Sequence, residues 1–506
     1  MTGMHDASRM VVVKFHTLAV IAIFLSAAVL TQSRESLFIA PLYVEYTSST
    51  LQEFTNEVNE LRRRIGKSPG VKVGFAAFLN VGFKRADLNQ PIDEATLEPT
   101  LAELDRIVSR SRSHELPVHI SIASGFFHNH NELREAAIRA DVRNAQWFSD
   151  GWIADPADVR QTDRVPRSAW VTPSRYAQPL RQRIQETMRI LGRELAEAME
   201  ENPERILSVS GDTEVELSFA RTLDSEGRAR VGGEVLLADY SPFMVAESRD
   251  WVRSRRYNGD ASPATDDDRD GHTFNQDFRQ QFRTWNLRYF NESGTIPYEQ
   301  YRGMVAKLPS SGPYFIDGGF DAPRVPSTGN PFWDAWQEFR VLVVRNYLRD
   351  FGEWITDGSR IPPSRFYTHQ IPAEYLFGGR DTRRLATSAS PLETALIPGM
   401  ASPGVTVYDT FNGKTHSKTS GATLFRRLQE SAPQWGILEY SPSVPPVDDE
   451  NHYLAELRAV HTFKPTLVVP FAWTNVEWHR QYRIQDTAYE RALRKFVQEA
   501  GSVIHR

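Results

Sequence analysis

The chain of 506 residues carries 59 Lys or Arg against 64 Asp or Glu, a formal net charge of −5. That balance excludes a dedicated binder of nucleic acid or anionic membrane, whose surface carries an excess of positive charge. Apolar residues at 40% and aromatic ones at 11% describe a globular chain with a large core, and the absence of Cys removes disulfides, thiolate metal sites and a cysteine nucleophile.

At the amino terminus, Arg9 and Lys14 precede the uncharged apolar run from Thr17 to Leu30. As a helix this run reaches about 21 Å, short of the roughly 30 Å hydrocarbon core of a bilayer. The expectation is a signal peptide or an anchor over residues 1–33, and hence an exported, periplasmic or extracellular protein. No other segment approaches a membrane span.

Apolar runs then alternate with amphipathic ones. Leu37–Val44 predicts a strand and Leu51–Ile65 a helix; Val71–Phe78 predicts a second strand, with a helix over Leu97–Val108. Pro117–Ala123 predicts the third strand, Leu180–Met199 a long helix and Arg205–Ser210 the fourth strand. Between about 215 and 360 the rhythm breaks. Helical spacing over Pro242–Arg256 and Pro331–Trp354 flanks a charged stretch and a Pro/Gly-rich approach, which reads as an insertion packed against the parent fold. Four further strands are predicted over Arg365–Gln370, Val405–Asp409, Trp435–Glu439 and Thr466–Phe471, with helices near Asp449–Val460 and Thr487–Glu499.

Eight short buried strands with intervening helices predict an α/β fold, a (β/α)8 TIM barrel with a large insertion after strand four. The expected organisation is strands one to four over 34–214, the insertion over 215–362 and strands five to eight over 363–506. Neither a Gly-rich dinucleotide loop nor a phosphate loop occurs, which argues against the nucleotide-binding open sheets. No Gly-x-Ser-x-Gly elbow announces a serine hydrolase.

Two carboxylates fall where barrel chemistry belongs, at the carboxyl-terminal strand ends. Glu214 follows the fourth strand in ILSVSGDTEVEL and Glu439 closes the seventh in WGILEYSP. Such a pair about 5 to 5.5 Å apart supports attack on an anomeric carbon with proton delivery to the departing oxygen; roughly 6.5 to 9.5 Å leaves room for an attacking water. Glu216, two residues on, competes with Glu214 for the acid role. On strand five, Tyr367 and His369 alternate with Thr368, and His369 is the one expected at the mouth, touching substrate.

The Asp212-Thr213-Glu214 run resembles the Asn-Glu ending of strand four in clan A glycoside hydrolases, with Thr213 in the place of the Asn. Tyr240-Ser241-Pro242 through Trp251 to Tyr257, Asn286 to Tyr289 and Pro331 to Arg340 are similar to segments of family 42 type β-galactosidases. The resemblance implies Glu214 as acid/base, Glu439 as nucleophile, retention of configuration and a β-linked, first of all galactosidic, substrate. It also implies Trp473 after strand eight as an aromatic floor for the sugar, and Tyr408 on strand six as a hydrogen-bond donor to the nucleophile.

The loop after strand three holds His128, Asn129, His130 and Glu132. These are expected to bind substrate; three-ligand zinc is the alternative, and a metal-dependent barrel hydrolase is the function that goes with it. A carbohydrate-binding protein with a degenerate site is the other competing function. Asp266, Asp268, Asp270 and Asp277 take positions one, three, five and twelve of a calcium-type loop with Gly271 at six. Structural calcium is expected there, while the chemistry itself needs no cofactor. The expected partner is a carbohydrate substrate, with no nucleic acid and no membrane partner beyond an N-terminal anchor; oligomeric state is not legible.

Overall fold

The structure, a computed structural model, describes residues 37–43, 59–60, 63–66, 68–84, 87–124, 132–147, 173–217, 219–221, 235–244, 247, 251, 331–372, 389–408, 417–443, 446–473 and 482–503. Its first strand is β1 (Leu37–Ile39) continued by β2 (Leu42–Tyr43), and its second is β3 (Val71–Val73) continued by β4 (Phe75–Asn80). Helix α1 (Glu98–His114) leads to β5 (Val118–Ala123). Helices α2 (Glu132–Ala140) and α3 (Gln178–Glu201) precede β6 (Ile206–Thr213).

An antiparallel hairpin, β7 (Phe219–Arg221) with β8 (Val235–Leu237), follows, and α4 (Pro331–Thr356) returns the chain to β9 (Phe366–His369). The remainder is β10 (Gly404–Tyr408), α5 (Ser417–Ser431), β11 (Gly436–Ser441), α6 (Glu450–His461), β12 (Leu467–Pro470) and α7 (Ala488–Val503).

All barrel pairings are parallel, in two five-stranded sheets ordered β10-β11-β12-β1-β3 and β2-β4-β5-β6-β9. The protein has a (β/α)8 TIM-barrel fold. Strand one is divided at Pro41, which has no N–H to give to a ladder; its carbonyl still accepts from Ala76 N at 3.0 Å. The other seam lies between β9 and β10, joined by isolated bridges Tyr367↔Ser402 and Gln370↔Val405.

Two apolar layers follow from strand alternation. Outward side chains such as Ile120, Val209, Phe366 and Ile437 pack under the helices, while Phe38, Leu42, Tyr367, Leu438, Val469 and Phe471 fill the barrel itself. Helix α3 meets α4 so closely that a Cβ on Gly192 would lie 2.0 Å from the Ile355 carbonyl oxygen, so only glycine fits that crossing. Helix α4 therefore lies on the barrel wall between strands four and five, although it belongs to the stretch whose rhythm is broken. Of the expected Pro242–Arg256 helix, the described positions, 242–244, 247 and 251, are helical. Among the described residues, no helix is long and apolar enough to cross a membrane.

Candidate active site

Glu214 stands one residue beyond β6 with a left-handed φ of 53°, a conformation that is uncommon for a residue with a side chain and is kept only where neighbours hold it. Three bonds do so. Glu214 N donates to the His369 carbonyl at 2.8 Å, Gln370 Nε2 to the Val215 carbonyl at 2.8 Å, and the buried Arg175 to the Glu216 carbonyl at 2.7 Å. Just before the turn, Asp212 accepts from Ser124 Oγ at 2.7 Å and Tyr347 Oη at 3.0 Å. Thr213 turns its hydroxyl to the Ile122 carbonyl at 2.9 Å, so at this position the side chain secures the strand end.

Across the mouth, Glu439 sits in the middle of β11 and is buried. One ligand atom each of Glu214, His369 and Glu439 lie within 4.8 Å of one another. The Tyr408 hydroxyl donates to Glu439 Oε2. Thr406 Oγ1 donates to Glu214 Oε1 at 3.2 Å, and His369 Nε2 lies 3.1 Å from Thr406 Oγ1 and 3.9 Å from Glu439 Oε1.

Burial first, and then the negative charge of Glu214, hold the Glu439 carboxyl well above the ordinary carboxylate range; the Tyr408 hydrogen bond acts in the opposite direction. The Tyr408 phenol is itself pushed well up by burial and by Glu439 and Glu214, so it stays a donor. Two carboxyl groups this close titrate as a pair that resists losing both protons. The same spacing is one that a divalent cation can bridge, but His369 and Glu439 already direct atoms at Thr406, Ser121 and Tyr408, and ligation has to compete with those bonds.

The fold thus brings Glu214, His369, Tyr408 and Glu439 together from strands four to seven. Trp473 follows β12 and is buried, with Trp473 N donating to the Leu42 carbonyl at 2.8 Å. Trp147 is buried and donates its indole N–H to the Val142 carbonyl at 2.9 Å. His128, Asn129 and His130, like Asp266, Asp268, Asp270 and Asp277, lie outside the described residues, as does the N-terminal run. Sequence reasoning missed Thr406, Gln370, Arg175 and the polar side chains inside the barrel. The signal was there: His119 and Ser121 in VHISIA, and Ser208 and Ser210 in ILSVSGDT, are polar at every second position of otherwise apolar strands, and so share one face.

The sequence matches no protein-family model and no curated protein. The structure is similar to the β-amylase catalytic domain of Paenibacillus polymyxa, with a TM-score of 0.51 and 9% identity over 92% of this chain and 99% of that one. It is also similar to a β-galactosidase from the psychrophilic Marinomonas ef1, with a TM-score of 0.50 and 11% identity over 93% of this chain. Of that β-galactosidase the match covers 60%. What is shared is the fold.

Proposed function

We propose that the protein is a glycoside hydrolase that cleaves a β-linked glycan or glycoside by retaining double displacement. One observation carries this reading: two acids from strands four and seven, remote in sequence, approach within 4.8 Å at the carboxyl-terminal mouth of the barrel. An oxygen of each acid within that limit is compatible with the carboxyl separation of about 5 to 5.5 Å used by retaining enzymes, and favours it over the roughly 6.5 to 9.5 Å of inverting ones. The likeness to a β-amylase and a β-galactosidase supports the same class, and a galactoside is the first substrate to try.

In this mechanism Glu439 attacks the anomeric carbon while Glu214 protonates the departing oxygen; Glu214 then takes a proton from water, which displaces Glu439 from the sugar. The raised proton affinity of Glu439 beside a second acid favours keeping one proton on the pair, and in this mechanism productive binding leaves it on Glu214. Tyr408 holds Oε2 of Glu439 and leaves Oε1 to attack. Trp473 and the loop with His128, Asn129 and His130 would contact the sugar, while His369, whose ring nitrogens meet Ser121 and Thr406, would act from beneath it. The apolar run from Thr17 to Leu30 supports action outside the cytoplasm.

The test is a panel of aryl and natural β-glycosides assayed with wild type, Glu439→Ala and Glu214→Gln, each checked for folding by circular dichroism. Glu439→Ala is expected to abolish turnover. Glu214→Gln is expected to spare activated aryl glycosides more than natural ones, and anomeric NMR to find retained configuration. Full activity of either variant on natural substrates, or an inverted product, overturns the proposal.

A further inference from the structure

Inside the barrel six hydrogen bonds join seven side chains. Ser208 Oγ lies 2.9 Å from His119 Nδ1, and His119 Nε2 lies 3.1 Å from Ser210 Oγ. Ser210 Oγ lies 3.2 Å from Ser121 Oγ, and Ser121 Oγ 3.1 Å from His369 Nδ1. The series ends with His369 Nε2 at 3.1 Å from Thr406 Oγ1 and Thr406 Oγ1 at 3.2 Å from Glu214 Oε1. Every member except Glu214 is buried. We infer that Thr406 is a positioning residue for Glu214, and that this series runs in one direction, fixing where the Thr406 hydroxyl points.

Each group in the series has a fixed number of protons. A hydroxyl has one to give, a neutral imidazole has one, and an ionised carboxylate has none. When Glu214 is ionised, Thr406 donates to it and must in turn be served by His369 through Nε2–H. His369 Nδ1 is then an acceptor, so Ser121 donates to it, Ser210 to Ser121, His119 Nε2–H to Ser210, and Ser208 to His119 Nδ1. Burial lowers the His119 pKa to about 3, although a hydrogen bond to the Ser208 backbone raises it; the ring is neutral, and the Ser208 carbonyl competes for its proton, so the direction of the series is set at the Thr406 end. The opposite direction would put the His369 proton on Nδ1, turn the Thr406 hydroxyl to Nε2 and leave Glu214 without this donor.

The inference rests on the proposed function and says how that site is kept in order. With Oε1 of Glu214 accepting from Thr406, an acid proton on this carboxyl is carried by Oε2. After departure the same bond stabilises the carboxylate that must act as base. Glu214 is also faced by Glu439 from β11, His369 from β9 and Tyr408 from β10, so the Thr406 bond is one influence on its titration among several.

The experiment uses the full chain labelled with ¹⁵N-histidine, the two rings being assigned with single His119 and His369 variants. NMR between pH 5 and 8 is expected to find both in the Nε2–H tautomer. Thr406→Val is expected to lower kcat/KM by about 10-fold on a glycoside with a poor leaving group, far less on a dinitrophenyl glycoside, and to move the basic limb of the profile up by about half a unit. Thr406→Ser is expected to restore both. A His369 Nδ1–H tautomer overturns the inference, as does equal loss on both substrates with an unmoved profile. Where Thr406→Val does not fold, Ser121→Ala is read instead, expected to release His369 into mixed tautomers. Absence of turnover by wild type on every glycoside removes the proposed function and leaves the tautomer to decide the inference alone.

Discussion

Replacing Glu439 by Gln is expected to raise thermal stability at neutral pH while removing turnover. In the native protein this carboxyl is buried beside Glu214 and binds its proton more tightly than a free one. Unfolding frees it, and its proton then leaves near the ordinary value of 4.5. Above that value, and up to the raised native one, the native state binds more protons than the unfolded chain, so stability falls as pH rises. Two routes give the size of the effect. Two unit charges about 5 Å apart, the scale of the approach of Glu214 and Glu439, repel by about 3 kcal/mol at an effective dielectric constant of about 20. Keeping one proton at pH 7 against an unfolded value of 4.5 costs at most about 3 kcal/mol. Gln carries no charge at any pH, and its amide oxygen still accepts from Tyr408. With unfolding entropy scaling with chain length, 3 kcal/mol corresponds to about 3 °C here. Scanning calorimetry from pH 4 to 8 should find Glu439→Gln about 3 °C more stable at pH 7, with the gap closing toward pH 4. A variant less stable than wild type at pH 7, or a gap that does not change with pH, refutes the reasoning.

Tyr408→Phe removes the hydrogen bond that lowers the proton affinity of Glu439; kcat/KM is expected to fall about 10- to 100-fold, and its acidic limb to move to higher pH. An unmoved acidic limb in a folded variant contradicts the assignment. Gly404→Ala places a Cβ 2.1 Å from the Thr368 carbonyl oxygen, so the backbone between strands five and six must move apart. A loss of about 1–3 kcal/mol is expected in denaturant unfolding, together with weakened turnover, because Thr406 and His369 lie on the two sides of that joint.

Much of the barrel was legible because its strands are short apolar runs bounded by polar residues. WGILEYSP gave strand seven and the burial of Glu439 together, and the strand-four run gave Glu214. The apolar run Leu37–Val44 predicts one continuous strand, whereas Pro41 divides its ladder for want of an N–H. Glu214 and Glu216 could not be separated on sequence, since the choice depends on a turn at φ 53° held by His369, Gln370 and Arg175. Thr406 was passed over for a different reason. A hydroxyl amid the apolar run Val405–Val407 reads as packing until its neighbours across two strands are known.

The division of the barrel into two sheets has a chemical corollary. Glu214 and His369 belong to the half built on β4 to β6 and β9, while Thr406, Tyr408 and Glu439 ride on β10 and β11. Neither half holds both acids, and the width of the gap between Glu214 and Glu439 is a property of the joint. On the proposed mechanism, slackening that joint by about an ångström would carry the two acids toward the wider spacing that admits a water between them, and with it toward the other stereochemical outcome.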